Sequence, residues 1–313
     1  MGKSFYFSTM YDLIIIGAGS AGLPAGMYAS RYKLKNIIIG EMPGGALSTS
    51  HCVENFPGVL SAPGAEIMDN FKKHAESAGS EILQDRVEVV SKIGENHFSV
   101  STMGGKNFDA KRILLATGNT YKMLGIPGER EFYGQGVSYC ATCDGNFYKN
   151  LTVGVVGAGN TAITEALYLA EIAKEVHIFV RGDVIRAENI WTEKANNTSN
   201  IIFHMNTQVT EVQGNMMGVT GVILNTGENL ALDGLFVAIG STPITNIVDN
   251  LSPQKDGEWC LVVDQRQETT IPGLYAAGDV TTNSNKFRQT IMSAAEGCLA
   301  ANSIHEDILK ITQ

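Results

Sequence analysis

"LIIIGAGSAGLPAGMYAS", residues 13–30, is the stretch whose reading decides the fold. Tyr11 to Ile16 is a largely apolar run of strand length. Gly17, Gly19 and Gly22 then supply G-x-G-x-x-G, and "LPAGMYASRYK" continues at helical spacing. With the next strand in "NIIIGE", residues 36–41, this makes a βαβ unit. In such a unit the first glycine makes the tight turn and the second lets a pyrophosphate approach the backbone. The third lets helix pack on strand, and the free N–H groups of the first helical turn hold the phosphates. Glu41 falls at the end of the second strand, where a ribose hydroxyl needs an acceptor. Pro24 is tolerable only near the first turn. The same stretch is a poor export signal, having only Lys3 ahead of it, and a poor membrane span, being rich in Gly and Ala and interrupted by Pro. The expected location is a reducing cytoplasm, with no membrane partner.

The pattern returns in "LTVGVVGAGNTAITEALYLAEIAKEVHIFVRGD", residues 151–183. Gly157, Gly159 and Ala162 give G-x-G-x-x-A, with Asn160 and Thr161 inside the motif. Ile163, Ala166, Leu167, Ala170 and Ile172 recur at helical spacing, and "EVHIFV" reads as the following strand. One glycine fingerprint is weak; two, each inside a complete βαβ unit, are strong. Each copy is followed by an apolar strand ending in a small-residue turn, "RILLATG" closing on Gly118 and "GLFVAIG" closing on Gly240. A third such segment, "IPGLYAAGDV", places Asp279 after a strand, and an amphipathic helix follows it. The expected architecture is α/β, with two Rossmann-like dinucleotide-binding domains. Residues 1–118 and 247–313 form a discontinuous first domain, into which the second, residues 119–246, is inserted.

A chain of 313 residues with 44% hydrophobic content is long enough for two such domains. A formal net charge of -9 argues against nucleic acid as a partner, since polyanion binding relies on clustered Lys and Arg.

Two of the five cysteines, Cys140 and Cys143, form C-x-x-C in "GVSYCATCDGNFY", residues 136–148. A tetrahedral zinc site wants four ligands, and no second C-x-x-C or C-x-x-H exists. No metal is expected. The spacing favours redox work: one sulfur attacks a substrate disulfide and the other resolves the mixed disulfide at high effective concentration. Asp144 stands where it can shuttle a proton to a departing thiolate, or equally cap backbone N–H groups of the turn. Cys52, Cys260 and Cys298 read as small buried hydrophobes, and His177 and His204 as packed residues of apolar strands. Two dinucleotide sites with a dithiol suggest an electron relay from a nicotinamide through a flavin to a disulfide.

On the motifs "GAGSAG", "PGGALS", "VENFPG", "LLATG", "CATCDG", "GAGNTA", "FVAIG", "AAGDV" and "FRQ", the chain resembles the low-molecular-weight thioredoxin reductases, from Met10 to the C-terminal helix. The dithiol precedes the second glycine fingerprint rather than following the first, unlike the larger glutathione-reductase-like enzymes. The resemblance implies FAD on the first domain, at Gly17, Gly19, Gly22, Glu41, Gly44, Gly45, Asn55, Gly278, Asp279, Arg288 and Gln289, and NADPH or NADH on the second. It implies Cys143 as the sulfur next to the flavin, Cys140 as the one that attacks thioredoxin, and Asp144 as general acid. It also implies a homodimer whose partner is thioredoxin or a thioredoxin-like protein.

Three departures qualify the resemblance. NADPH-specific members carry H-R-R-x-x-x-R after the second strand of the nicotinamide unit; here "VRGDVIR" retains only Arg181 and Arg186, with Val180 and Gly182 in place of basic residues. Each lost charge-assisted hydrogen bond removes about 1.5–3 kcal/mol of phosphate recognition. Ala46 replaces a Gln common beside the flavin, and the first nine residues match nothing. Other readings of the same motifs are a relative that takes electrons from a ferredoxin-type donor, a dithiol oxidase, and a non-enzymatic redox sensor. Val180→His with Gly182→Arg is the expected route to stronger NADPH binding.

Overall fold

The computed structural model describes residues 10–49, 53, 55–139 and 141–311. The chain divides into two compact units, one running to Thr120 and resuming at Thr242, the other comprising Tyr121–Ser241.

The first unit is built on a parallel sheet in which Tyr11–Ile16 lies between Asn36–Gly40 and Asn107–Leu115. Glu81–Gln84 extends it on one side and Leu274–Ala276 on the other, both parallel. The central strands are buried on both faces, with Leu13, Ile14, Ile15, Ile38 and Ile113 inaccessible, so they carry continuous rather than alternating apolar sequence. Each such side chain contributes roughly 1.5–3 kcal/mol of burial. Helix Gly22–Arg31 covers one face together with Gly64–Ala78 and the long Thr290–Ile311. Pro24 is the third residue of its helix, where its missing N–H costs no helical bond. An antiparallel hairpin, Val87–Gly94 with His97–Thr102, joins the first half of Asn107–Leu115 and was not legible in the apolar pattern.

The second unit has an all-parallel five-stranded sheet in the order Ile201–His204, Glu175–Phe179, Thr152–Val156, Gly234–Val237, Val137–Ser138. Helices Asn160–Ala170 and Asn189–Asn196 supply side chains to the core on one face. On the other, a three-stranded meander, Val209–Asn215, Gly218–Leu224 and Asn229–Ala231, packs Val212 and Val222 with Phe179 and Leu235. Ile172, read from the sequence as part of the helical stripe, lies beyond the helix end at Ala170.

The crossings between units fall at 120/121 and 241/242, where the sequence pattern suggests 118/119 and 246/247. Residues 242–251 go with the first unit for an identifiable reason. Thr117 Oγ1 donates to Ile244 O at 2.6 Å, Ile244 N–H donates to Gly118 O at 2.9 Å, and Ile247 and Val248 are buried with Val87 and Val90.

Candidate functional site

In the first unit the predicted residues gather in loops that follow the carboxyl ends of the parallel strands. Gly17 has φ +116°, and a Cβ there would lie 2.1 Å from Ala116 O; a Cβ on Gly22 would lie 1.8 Å from Gly17 O. No larger residue fits either position without moving backbone. Helix Gly22–Arg31 starts with no side-chain cap and no acidic residue in its first turn, leaving its N–H groups available to an anion. Gly44 N–H donates to Ala18 O at 2.7 Å, and Gly45 lies against Gly19, so these turns share one small-residue rim. Glu41 is exposed just past its strand, its nearest cation Arg86 at 3.8 Å.

Asn55 Nδ2 donates to Gln289 Oε1 at 3.0 Å, joining two predicted residues 234 positions apart. Asp279 accepts from Asn119 Nδ2 at 3.3 Å; burial pushes its carboxyl above the ordinary range, with Arg288 opposing the shift. Gly278 N–H donates to the buried Glu296 at 2.8 Å, which also takes Thr281 Oγ1 at 3.1 Å and Ser284 Oγ at 2.6 Å. Arg288 is half-buried, 3.7 Å from Glu258, and its enclosed Nε has no hydrogen-bond partner among the described residues. Gly278, Asp279, Thr281, Ser284, Arg288 and Glu296 line one small concavity.

The second unit repeats the turn. Gly157 has φ +150°, and a Cβ on it would meet Ala238 O at 2.4 Å and the buried Ala162 Cβ at 2.7 Å. Among the described residues nothing lies within 4 Å of where a Gly159 Cβ would be, so space is kept beside that residue. Gly118 and Gly240 likewise face open space in their own units. Helix Asn160–Ala170 is also uncapped and free of acid in its first turn. Thr161 is exposed, while Asn160 and Glu188 bond reciprocally, Nδ2 to Oε1 and Glu188 N–H to Oδ1, both at 2.8 Å.

Arg186 N–H donates to Ala158 O at 2.7 Å, which ties the loop after strand Glu175–Phe179 to the glycine turn. Arg181, Gly182, Asp183 and Arg186 are exposed on that loop, but Val180 is buried in the helix-side core. The expectation that Val180→His would restore a phosphate contact is therefore corrected: a side chain there enters the core. His177 and His204 are packed, as read, with His177 Nδ1 2.8 Å from His204 Nε2 and His177 Nε2 2.6 Å from Glu175.

Of the dithiol, Cys140 lies outside the described residues, as do Cys52 and residues 1–9; Cys143 is placed by its backbone in helix Ala141–Asp144. Asp144 accepts from Ser138 Oγ at 2.6 Å and caps no backbone N–H of the turn Gly145–Tyr148 after it, which removes the capping reading. Just ahead of the dithiol, Tyr139 OH donates at 2.8 Å to Glu129, a carboxylate with no exposure that also accepts the N–H groups of Leu124 and Gly125. Sequence reading missed Glu129 because a lone Glu in a loop carries no periodic signal. Cys260 is buried, and Cys298 is half-buried, with burial raising its thiol to about 11. Among the described residues no His, Cys, Asp and Glu cluster is fit for a metal.

Two uncapped glycine turns, each ending a parallel strand, with a C-x-x-C sequence in the second unit, describe a nucleotide-linked disulfide enzyme. The family model for pyridine nucleotide-disulphide oxidoreductases matches residues 11–297, and the chain belongs to that family. It is 41% identical over 303 residues to a glucosaminate ammonia-lyase of Pseudomonas fluorescens, spanning 92% of this chain and 93% of that one. It is 40% identical to the thioredoxin reductase of Helicobacter pylori, spanning 94% and 98%. The fold is similar to the Lactococcus lactis thioredoxin reductase crystal structure with a TM-score of 0.90, at 32% identity and 96% and 99% coverage.

Proposed function

We propose that the chain is a flavoprotein thioredoxin-disulfide reductase that passes electrons from a reduced nicotinamide, NADPH or NADH, through FAD and the Cys140–Cys143 pair to thioredoxin or a thioredoxin-like protein. The observation that carries this is the C-x-x-C sequence, with Cys143 in the short helix Ala141–Asp144, in the same unit as the second glycine turn, in a chain whose first unit carries a separate dinucleotide turn. Elimination of ammonia, the activity named for one relative, calls for neither a dithiol nor two dinucleotide turns.

The residues of the first unit fit FAD. Gly17 and Gly22 admit no Cβ, the space around Gly19 is bounded only by Gly45, and the buried Arg288 Nε has a donor to give. In this reading Gly17, Gly19, Gly22, Gly44 and Gly45 cradle the pyrophosphate, and Glu41 accepts a ribose hydroxyl. Asn55, Gly278, Asp279, Arg288 and Gln289 border the rest. Gly157, Gly159, Asn160, Thr161 and Ala162 hold the nicotinamide dinucleotide, with Gly240 leaving room at a strand end of the same unit, as Gly118 does at a strand end of the first. When bound, FAD supplies two-electron transfer between the nicotinamide and the dithiol.

The chain's own chemistry is disulfide exchange. Cys140, as thiolate, attacks one sulfur of the substrate disulfide; the S–S bond breaks, the other substrate sulfur leaves as a thiolate, and Asp144 protonates it. Cys143 then attacks the Cys140 sulfur of the mixed disulfide, releasing the second substrate thiolate and leaving Cys140–Cys143 oxidised. Ser138, buried and donating to Asp144, keeps that carboxyl oriented toward its proton-transfer role.

Arg181 and Arg186 are the two cations of the loop that would meet a 2′-phosphate, and we infer weak discrimination between NADPH and NADH. The assembly proposed is a cytoplasmic homodimer; no helix among the described residues is long and apolar enough to cross a membrane. Anaerobic titration with each nicotinamide, followed by flavin bleaching and then by reduction of added thioredoxin, tests the reading. Bleaching by at least one of them, with thioredoxin reduced, is expected. Failure of both while dithionite succeeds overturns the donor assignment in favour of another carrier.

A further inference from the structure

Helix Thr290–Ile311 rests on the first glycine turn: a Cβ on Gly297 would lie 2.1 Å from Ala21 O, at the start of helix Gly22–Arg31. Beside Gly297, the buried Glu296 has both carboxylate oxygens taken by one stretch of chain. Oε2 accepts the Gly278 N–H at 2.8 Å and the Thr281 hydroxyl at 3.1 Å, and Oε1 accepts Ser284 Oγ at 2.6 Å. Ser284 and the exposed Asn285 both have left-handed backbone, with φ of +52° and +50°. Asn tolerates that region, but a Ser there is strained, and left-handed residues ordinarily occur singly. Such strain persists only where the surroundings over-determine it, and it collects at ligand clamps. Upstream the chain is fixed, with Leu261 N–H donating to Val280 O at 2.7 Å and Thr282 N–H to Leu261 O at 3.0 Å. Downstream, Phe287 N–H donates to Ser284 O and Gln289 N–H to Phe287 O, both at 2.9 Å. Ser284 is thus the point where the chain reverses into the segment carrying Arg288 and Gln289. Its short bond to a carboxylate is of the strong, charge-assisted kind and stands where it can hold that reversal.

We propose that Glu296 and Ser284 form a clamp that holds residues 284–289 in their left-handed reversal and so positions Arg288 and Gln289 for FAD. Both are positioning residues. This deepens the assignment of FAD to the first unit and rests on it. With the clamp closed, Arg288 is kept 3.6 Å from Cys260 Sγ and 3.7 Å from Glu258, and Gln289 is kept in its 3.0 Å bond with Asn55. Through the Gly278 N–H the same carboxylate fixes the turn that bears Asp279, so one buried group ties together two sides of the concavity that Gly278, Asp279, Ser284 and Arg288 line. A segment held in place before the cofactor arrives loses little freedom on binding it. With the clamp removed, Ser284 relaxes toward right-handed or extended backbone, and Arg288 and Gln289 leave their places.

The test uses the full-length protein as purified with its flavin. Release of FAD on dilution is followed by the rise in flavin fluorescence, and brief trypsin treatment of the same sample, read by mass spectrometry, reports cleavage after Lys286 or Arg288. Ser284→Ala loses the hydroxyl and keeps a Cβ in the left-handed region. It should release FAD about tenfold faster and be cut at those two sites about fivefold faster, with its urea midpoint little moved. Ser284→Gly loses the same hydroxyl but adopts positive φ without steric cost, so its release should be only about threefold faster. Release from Ser284→Gly as fast as from Ser284→Ala, or no change in either, overturns the proposal. Glu296→Ala should release FAD at least as fast as Ser284→Ala. Adding Ser284→Ala to it should change nothing further, because the two residues act as one unit; additive accelerations overturn the clamp. Should Glu296→Ala fail to fold, the two Ser284 variants decide. Flavin absorbance of the wild type separates the two readings. A protein that holds no FAD ends both, whereas one that holds FAD and releases it alike from every variant keeps the FAD site and loses the clamp.

Discussion

The two glycine turns share a backbone solution and differ in what surrounds it. In the first unit Gly17 is held against Ala116 and Gly22 against Gly17, and Gly45 lies 3.7 Å from where a Gly19 Cβ would be. In the second, Gly157 is equally confined, but no described residue comes within 4 Å of a Gly159 Cβ, and the loop beyond the next strand presents Arg181, Asp183 and Arg186 exposed. The first is a tight cradle suited to a resident cofactor. The second is an open turn suited to a dinucleotide that arrives and leaves, and it alone sits in a unit with a dithiol. Selectivity on the open side depends on a few exposed side chains rather than on packing.

The largest effect should come from the dithiol, the feature that the first unit lacks. Cys140→Ser or Cys143→Ser is expected to lower disulfide reduction by about 10³-fold or more while leaving the flavin absorbance of the purified protein intact. Either variant retaining substantial activity in a thioredoxin-reduction assay removes the dithiol from the mechanism. Next in size is the contrast between glycines. Gly22→Ala should destabilise the protein by about 3 kcal/mol and release FAD, because its Cβ would overlap Gly17 O. Gly159→Ala should unfold within about 0.5 kcal/mol of the wild type and show its effect only as weaker nicotinamide binding. Denaturant melts of both variants check this, and equal losses of stability erase the distinction between cradle and open turn.

A smaller effect is expected from Arg181→Ala combined with Arg186→Ala, which should raise the KM for NADPH roughly tenfold and that for NADH little. Steady-state kinetics with both donors decide it. The smallest is Gly182→Arg, which should improve NADPH binding by about threefold to tenfold. Val180→His should give no such gain and should instead destabilise by about 1–3 kcal/mol, since it places a polar ring in the core. A gain from Val180→His in the same kinetic comparison contradicts the packing seen for that strand end.

Much of this molecule was legible along the chain because the signals are local. Strand, glycine turn and helix follow within twenty residues at both turns, and the second crossing was read only a few residues away from where it falls. The meander and the hairpin went unread: their strands pair with near neighbours in the chain, but the faces they bury are covered by distant residues, Ile247 and Val248 for the hairpin and Phe179 and Leu235 for the meander. Asp144 shows the same limit at one residue. Its two roles look alike in sequence, and nothing local foretells the hydrogen bond from the Ser138 hydroxyl that it accepts once the strand ahead of the dithiol is folded beside it.

Sequence alone thus determined the class of fold, the presence of two dinucleotide turns and the dithiol, because glycine spacing, apolar period and C-x-x-C are properties of neighbours in the chain. Tertiary structure alone decided which groups are shut away from water. It turned Val180 inward and left Arg181 and Arg186 exposed, and it enclosed Glu129 against Tyr139. Burial and the ionisation it controls depend on segments that meet only on folding, and no local pattern of residues encodes them.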